Sequence, residues 1–435
     1  MSFTRKRWCT RILRIFVVLT ICYFCYHALF KCNWTPFPEQ LARNQTWQPV
    51  NQARTAYVFS AYLDDERHVV IIIGAMTKDR VPYICQLWTF GEDGVSLKKD
   101  ISYPRAHIPP EHHDKRYAMT LFECPYRSAK YPAYVSLISN SCETPLNLIH
   151  IEETKVSRDY KMTFTVCLSP LNFHYRRAYE LVEWIELNRI LGAEKFIIYN
   201  HSSASNVKDV LEYYSKQGYV EVIQWQLPIP VDIFPVSKTQ AEIHYFGQVA
   251  ALNDCLYRSK RHSEFIVNID LDEIIVPHSN TSVNWQTMIN EIAIENAKVF
   301  VFKNTHFRKD WRNYEYSENK FRTNIIQKAK QFKLTTLQTY RRERNIDIKG
   351  VRSKYIVRTN GIHYLMVHFV LDLPSAVDVT VSEDIGLLHH YKNFGHYIEQ
   401  NNSKTDYTVL DKYGEVLIQN VERVWNELSD VNMVV

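Results

Sequence analysis

Apolar and polar positions change rhythm once along the chain. From Ala56 to about Ile151 they alternate in short runs. Turn formers such as Gly91-Glu92-Asp93-Gly94 separate the runs, which predicts strands over Tyr57–Tyr62, Val69–Gly74, Tyr83–Phe90 and Ala133–Ile138. From Lys161 onward, strand-length apolar runs alternate with longer stripes of helical period. The strands expected there are Met162–Leu168, Lys195–Asn200, Tyr219–Gln226, Phe265–Val276 and Val299–Lys303. The helices expected between them are Tyr175–Leu191, Ser205–Gln217, Gln240–Lys260 and Trp285–Asn296. In the first helix Ala178, Leu181, Val182, Ile185 and Leu191 share one stripe, and Gly192 stands where a left-handed stop belongs. Residues 312–350 are polar and basic and read as a loop-rich insert. Lys354–Arg358, Ile362–Leu371 and Gly386–Tyr391 resume as strands, and a helix near Leu410–Leu428 closes the chain. This alternation implies an α/β domain with a mainly parallel sheet, whose ligands bind outside the carboxyl ends of the strands.

The N-terminus follows neither rhythm. Ile15 to Phe30 is uncharged and apolar, preceded by Arg5, Lys6, Arg7, Arg11 and Arg14 and followed by Lys31. At about 1.5 Å per residue such a helix spans roughly 24 Å, short for a membrane but compatible with the thinner early secretory membranes. Phe30-Lys31-Cys32-Asn33 makes a poor cleavage site, so an uncleaved type II anchor is expected rather than a signal peptide. The organisation expected is a cytosolic basic tail (1–14), an anchor through one helix (15–31), a lumenal stalk (32–55), a strand-rich region (56–155) and the α/β domain (160–430), in the ER or Golgi. Asn44-Gln45-Thr46, Asn280-Thr281-Ser282 and Asn401-Asn402-Ser403 are sequons consistent with a lumenal chain.

Composition narrows the class. With 46% hydrophobic residues, 11 Gly and 16 Pro in 435 residues, the chain is globular rather than disordered. A net charge of +5, part of it in the basic tail, gives no case for nucleic-acid binding. Past the membrane there is no Cys-x-x-Cys pair, which disfavours zinc. Cys85, Cys124 and Cys142 are the cysteines expected to pair in an oxidising compartment, while Cys167 and Cys255 suit buried apolar positions equally well. No glycine-rich nucleotide loop occurs, so a dinucleotide enzyme or P-loop ATPase is disfavoured.

The candidate chemistry lies in Phe265–Pro277, where β-forming residues run into Asp270, Asp272 and Glu273. Side chains two apart on an extended chain point the same way, so both aspartates can converge where a buried strand ends. Like charges held together call for a positive partner, and a hard divalent cation takes oxygen ligands. In a lumenal anchored protein this suggests glycosyl transfer from a nucleotide sugar. Two rivals remain: a phosphatase of the haloacid dehalogenase type, with Asp270 as nucleophile and Asp272 as acid/base, and a catalytically inactive anchored glycan-binding protein.

Several ordered motifs resemble glycosyltransferase family 92. They are Cys167-Leu168-Ser169-Pro170-Leu171, Val182-Glu183-Trp184-Ile185-Glu186-Leu187-Asn188, Leu191-Gly192-Ala193-Glu194-Lys195-Phe196 and Tyr199-Asn200, then Gln248, Leu252-Asn253-Asp254-Cys255-Leu256-Tyr257 and Ile269-Asp270-Leu271-Asp272-Glu273. Val367-His368-Phe369 and His390-Tyr391-Lys392 are similar to its closing histidine motifs. The likeness covers roughly residues 160–425. It implies a GT-A type nucleotide-sugar transferase fold, a divalent metal with Mn2+ first in line, and an inverting transfer of galactose from UDP-galactose to a glycan. Asp270, Asp272 and His390 become metal ligands. Asn200, Gln248, Asp254, Glu273, Lys392 and Trp311 become substrate-binding candidates, although Lys392 stands where the family's motif leads one to expect Arg, which grips phosphate bidentately. An inverting reaction needs a base. Asp310, beside Trp311, is the first candidate, with Glu383 and Asp384 behind it and an ion pair of Asp310 with Arg308 or Lys309 as the plainer account.

Overall fold

The computed structural model describes residues 14–23, 37–41, 46–79, 81–140, 143–154, 160–232, 241–311, 320–371, 377–393 and 400–433. The chain forms two compact units, one of residues 1–107 and 121–152, the other of 108–120 and 153–435.

The alternating pattern of the first unit folds as a nine-stranded sheet. Its order is Leu97–Ser102, Ile84–Phe90, Tyr134–Ile138, Ile149–Glu153, Ala56–Asp64, Val69–Thr77, Tyr117–Pro125, Arg105–His107, with Gln48–Pro49 paired onto Ala56–Asp64. Val58, Val70, Ile72, Leu87, Phe122 and Val135 meet in its core, and a Cys85–Cys124 disulfide ties two of the strands.

The second unit is α/β with a mixed sheet of seven strands. Val220–Gln224, Ala193–Asn200, Met162–Leu171 and Ser263–Asn268 run parallel. Lys354–Arg358 then pairs antiparallel with both Ser263–Asn268 and Ala297–Phe302, and Val377–Thr380 closes the edge. The helix Ala178–Leu191 buries Leu181 and Ile185 in the core that Leu417 and Val421 of the helix Thr408–Glu427 also enter. Gly192, at φ 116°, ends the first of these helices. A second, five-stranded sheet holds Glu273–Pro277, Gly386–Tyr391, Asn304–Phe307, Arg341–Glu343 and Ser403–Thr405. Cys167 and Cys255 form a disulfide between the strand Met162–Leu171 and the helix Gln248–Ser259 rather than packing as free thiols. Cys142 lies outside the described residues.

Four expectations change. The expected strand Phe265–Val276 is two strands, Ser263–Asn268 and Glu273–Pro277, in different sheets, and both aspartates occupy the turn between them. The described part of the helix expected over 240–260 begins only at Gln248. The insert 312–350 contains a helix, Lys320–Gln331, whose Ile325, Ile326 and Ala329 are buried. Of the strand expected over Ile362–Leu371, only the short pair Tyr364–Leu365 and Val370–Leu371 forms. Of the expected anchor, residues 15–23 are helical and the rest lies outside the described residues. Among those described, no helix is long and apolar enough to cross a membrane. Asn44 of the first sequon is outside them as well.

Candidate active site

The turn at Ile269–Asp272 is where the chain passes from one sheet to the other. It is locked from three sides. Glu273 N donates to the Asp270 carbonyl at 3.1 Å, and the Glu273 carboxylate reaches back to accept Asp270 N at 3.0 Å. Trp184 of the helix Ala178–Leu191 donates its indole N–H to the same Asp270 carbonyl at 3.0 Å. Tyr391 N donates to the Asp272 carbonyl at 2.7 Å. The two carboxylates are thus aimed by a turn rather than by strand alternation.

Asp270 is braced by three side chains. Its Oδ2 accepts Lys354 Nζ at 2.9 Å, and its Oδ1 accepts the Ser169 hydroxyl and, at 3.4 Å, Gln248 Nε2. Gln248 Nε2 also donates to Ser169 Oγ at 2.6 Å. Lys354 is fully buried and lies 3.4 Å from Glu273 Oε2 as well, so one ammonium serves two carboxylates. Burial opposes the charge of Asp270, but Lys354 and the Ser169 hydroxyl together hold its pKa below the ordinary range. Glu273 has less compensation, and burial pushes it up to about 7.

Asp272 is held more loosely. Its Oδ2 lies 3.4 Å from His390 Nε2 and 3.8 Å from Lys392 Nζ. Burial would raise its pKa, but His390, Lys392 and Lys309 together hold it down to about 2. His390 stands opposite Glu273 in the sheet register. Asn304 Oδ1 is 3.2 Å from His390 Nδ1, and the Asn304 amide nitrogen donates to Asp347 at 2.9 Å, which fixes the amide's orientation. Nδ1 therefore carries the proton given to Asn304, and Nε2 is the ring nitrogen turned toward Asp272, where a cation could be held. Two ligands each about 2.1 Å from one cation lie roughly 3.0–3.4 Å apart at angles near 90–110°. The Asp272–His390 spacing fits that test, and the carboxylate–imidazole donor set suits a divalent ion such as Mn2+.

Asp270 and Asp272 line a cavity of about 420 Å3 at the end of the strand Met162–Leu171, with Ser169, Tyr245, Lys309 and Lys392 among its walls. Of the other residues expected here, Gln248 and Glu273 stand behind Asp270 rather than on the surface. Asn200, at the end of its strand, is buried and does not line the cavity.

Three expectations are corrected. Asp310 does not line the cavity: its carboxylate pairs with the buried Arg308 at 3.0 and 2.8 Å, which lowers its pKa and makes it a poor proton acceptor. Trp311 is buried with the Arg308 guanidinium over its ring at 5.6 Å, so it offers no face to a sugar. Asp254 is sealed in the interior, accepting Tyr199 Oη at 2.6 Å and the Arg258 guanidinium at 3.1 Å, which leaves it no route to a nucleotide. Of the second choices for the base, Glu383 pairs with Lys303 at 3.1 Å, and neither it nor Asp384 lines the cavity. Lys354, Tyr245 and Lys309 were not among the site residues expected from the sequence. Lys354 opens an apolar strand, and a lone lysine at a strand end is usually solvated, so only its burial marks it out.

A model of glycosyltransferase family 92 matches residues 162–427. A Caenorhabditis elegans protein named beta-1,4-galactosyltransferase galt-1 is 25% identical over 251 residues, 54% of this chain and 54% of that protein. Glycosyltransferase family 92 protein F13G3.3 of the same organism is 26% identical over 174 residues, 39% of this chain and 31% of its own. The chain thus spans about half the length of the first of these relatives and less of the second. A crystal structure of S. aureus TarS 1-349 in complex with UDP-GlcNAc is similar at 17% identity, covering 54% of this chain and 60% of that one, with a TM-score of 0.27; an overlap that loose assigns neither fold nor ligand here.

Proposed function

The chain belongs to glycosyltransferase family 92, and from that premise we propose that it moves a hexose, galactose first in line, from a UDP-sugar to a glycan acceptor with inversion, on a GT-A type domain. The observation that carries the reading is Asp272 on the wall of a cavity at the parallel strands' carboxyl ends, backed at 3.4 Å by the buried His390. Family membership sets the phosphatase alternative aside.

Asp272 and His390 would hold the divalent ion, Mn2+ first in line. Such an ion neutralises charge gathering on the departing nucleoside diphosphate. Lys392 and Lys309, both on the cavity wall, add fixed positive charge beside the diphosphate. Asp270, held by Ser169, Gln248 and Lys354, keeps one orientation and offers its remaining lone pairs to donor hydroxyls. A lumenal secretory location belongs to the same reading, and two disulfides support it. Loss of a glycosidase-sensitive mobility shift on Asn280→Gln would check that location, Asn280 being exposed.

The test of the transferase reading is UDP release by the purified full chain across a panel of UDP-sugars, with Mn2+ or with EDTA. Metal-dependent turnover of one sugar, abolished by Asp272→Asn, is the expected result. A folded protein that turns over none of them and binds no UDP returns the chain to the catalytically inactive alternative.

A further inference from the structure

The turn that opens the helix Gln248–Ser259 has no part in the chemistry described so far. Tyr245 and Phe246 hold left-handed φ angles of 37° and 56°, and Gly247 follows at 70°. Glycine adopts that region freely, whereas bulky side chains stay there only when their surroundings force them to. Phe246 provides the force. It is buried, packs edge-on against Phe173 at 5.1 Å, lies 5.1 Å from the His201 ring, and gives its carbonyl to the Trp225 indole N–H at 2.8 Å.

What this strained turn positions is Tyr245. Three tyrosines line the cavity. Tyr391 is 3% exposed, and Tyr175 commits its hydroxyl to the Arg177 carbonyl at 3.1 Å and to Glu180 at 3.3 Å. Tyr245 is 43% exposed, on the wall it shares with Asn172, one residue past the strand Met162–Leu171. Burial and the nearby Asp270 and Asp272 push its phenol up to about 12, so it remains neutral at physiological pH. An open aromatic face at the carboxyl end of a parallel strand, beside a site for a charged diphosphate, suits a flat heterocycle.

We propose that Tyr245 is a nucleotide-contacting residue, its ring stacking on the base of the nucleoside diphosphate donor while the strained turn 245–247 holds it in place. The assignment rests on the nucleotide-sugar reading above. Aromatic stacking of this kind strengthens binding by roughly tenfold per base and tolerates any base, so the ring sets affinity rather than choice of sugar.

The experiment is calorimetric titration of the full chain with UDP in the presence of Mn2+, beside thermal unfolding, for the wild type, Tyr245→Asn and Tyr245→Phe. Asparagine tolerates left-handed backbone but removes the ring. Tyr245→Asn should weaken UDP binding by about fivefold or more with Tm unchanged or raised, and Tyr245→Phe should stay within about threefold of wild type. A smaller loss in Tyr245→Asn, a greater loss in Tyr245→Phe, or a lowered Tm in Tyr245→Asn overturns the proposal, the last because the ring would then be packing rather than presenting. A wild type that binds no UDP instead brings down the donor reading itself, and this inference with it.

Discussion

Asp270 and Asp272 are two residues apart and live under opposite rules. Around Asp270 every charge has a protein partner: Lys354 serves it and Glu273, while Ser169 and Gln248 occupy its second oxygen. Around Asp272 the partners are a histidine and a half-exposed lysine at 3.4 and 3.8 Å, distances that leave room for a ligand between them. Asp270 is braced by neutral donors and a buried cation, whereas Asp272 meets looser partners at longer range. The two carboxylates share one cavity wall but differ in what holds them.

The comparison breaks most visibly at Lys354. Lys354→Met leaves the buried Glu273 and the half-buried Asp270 without their cation, which should lower folding stability by about 3 kcal/mol in urea unfolding; a loss below about 1 kcal/mol would mean that this cluster is not anchored by charge. Asp272→Asn should do the reverse. Turnover should fall by about 100-fold or more, the size of losing a principal charge-stabilising group, while stability stays within about 1 kcal/mol of wild type. If Asp270→Asn matched it in both respects, the two positions would be equivalent after all.

Ligand linkage sharpens the contrast further. Mn2+ and UDP near 100 times their dissociation constant should stabilise the wild type by about 2.7 kcal/mol, seen as a raised Tm that EDTA removes. Asp272→Asn should show no such rise. The smallest effect belongs to Lys392, whose side chain is 50% exposed. Lys392→Ala should raise KM for the donor about threefold and leave urea unfolding within about 0.5 kcal/mol, as expected of an exposed ion pair.

Much of the architecture was legible because burial imposes a period. The parallel strands, the helix Ala178–Leu191 and its Gly192 stop follow from apolar spacing alone. The helix Lys320–Gln331 was missed because its apolar positions, Ile325, Ile326 and Ala329, form a thin stripe in a strongly basic stretch. The run Phe265–Val276 read as one strand because a tight turn with no glycine or proline carries no local signal. The base candidate failed for a related reason. Asp310 beside Trp311 looks like a sugar site on paper, but Arg308 sits between them in energy if not in sequence, holding the one by an ion pair and covering the other's ring.

By itself the sequence determined the order of strands and helices, the family, and the stretch that carries the carboxylates, since each depends on spacing along one chain. Tertiary structure alone decided which partners hold each aspartate, that Lys354 is the buried cation, that His390 Nε2 faces Asp272, and that a strained turn sets Tyr245 on the cavity wall. The charge pairings among them join residues far apart in the chain, Asp270 with Lys354 and Asp272 with His390, in a medium of low dielectric, where the pairing of charges, and not their presence in the chain, fixes what each group can do.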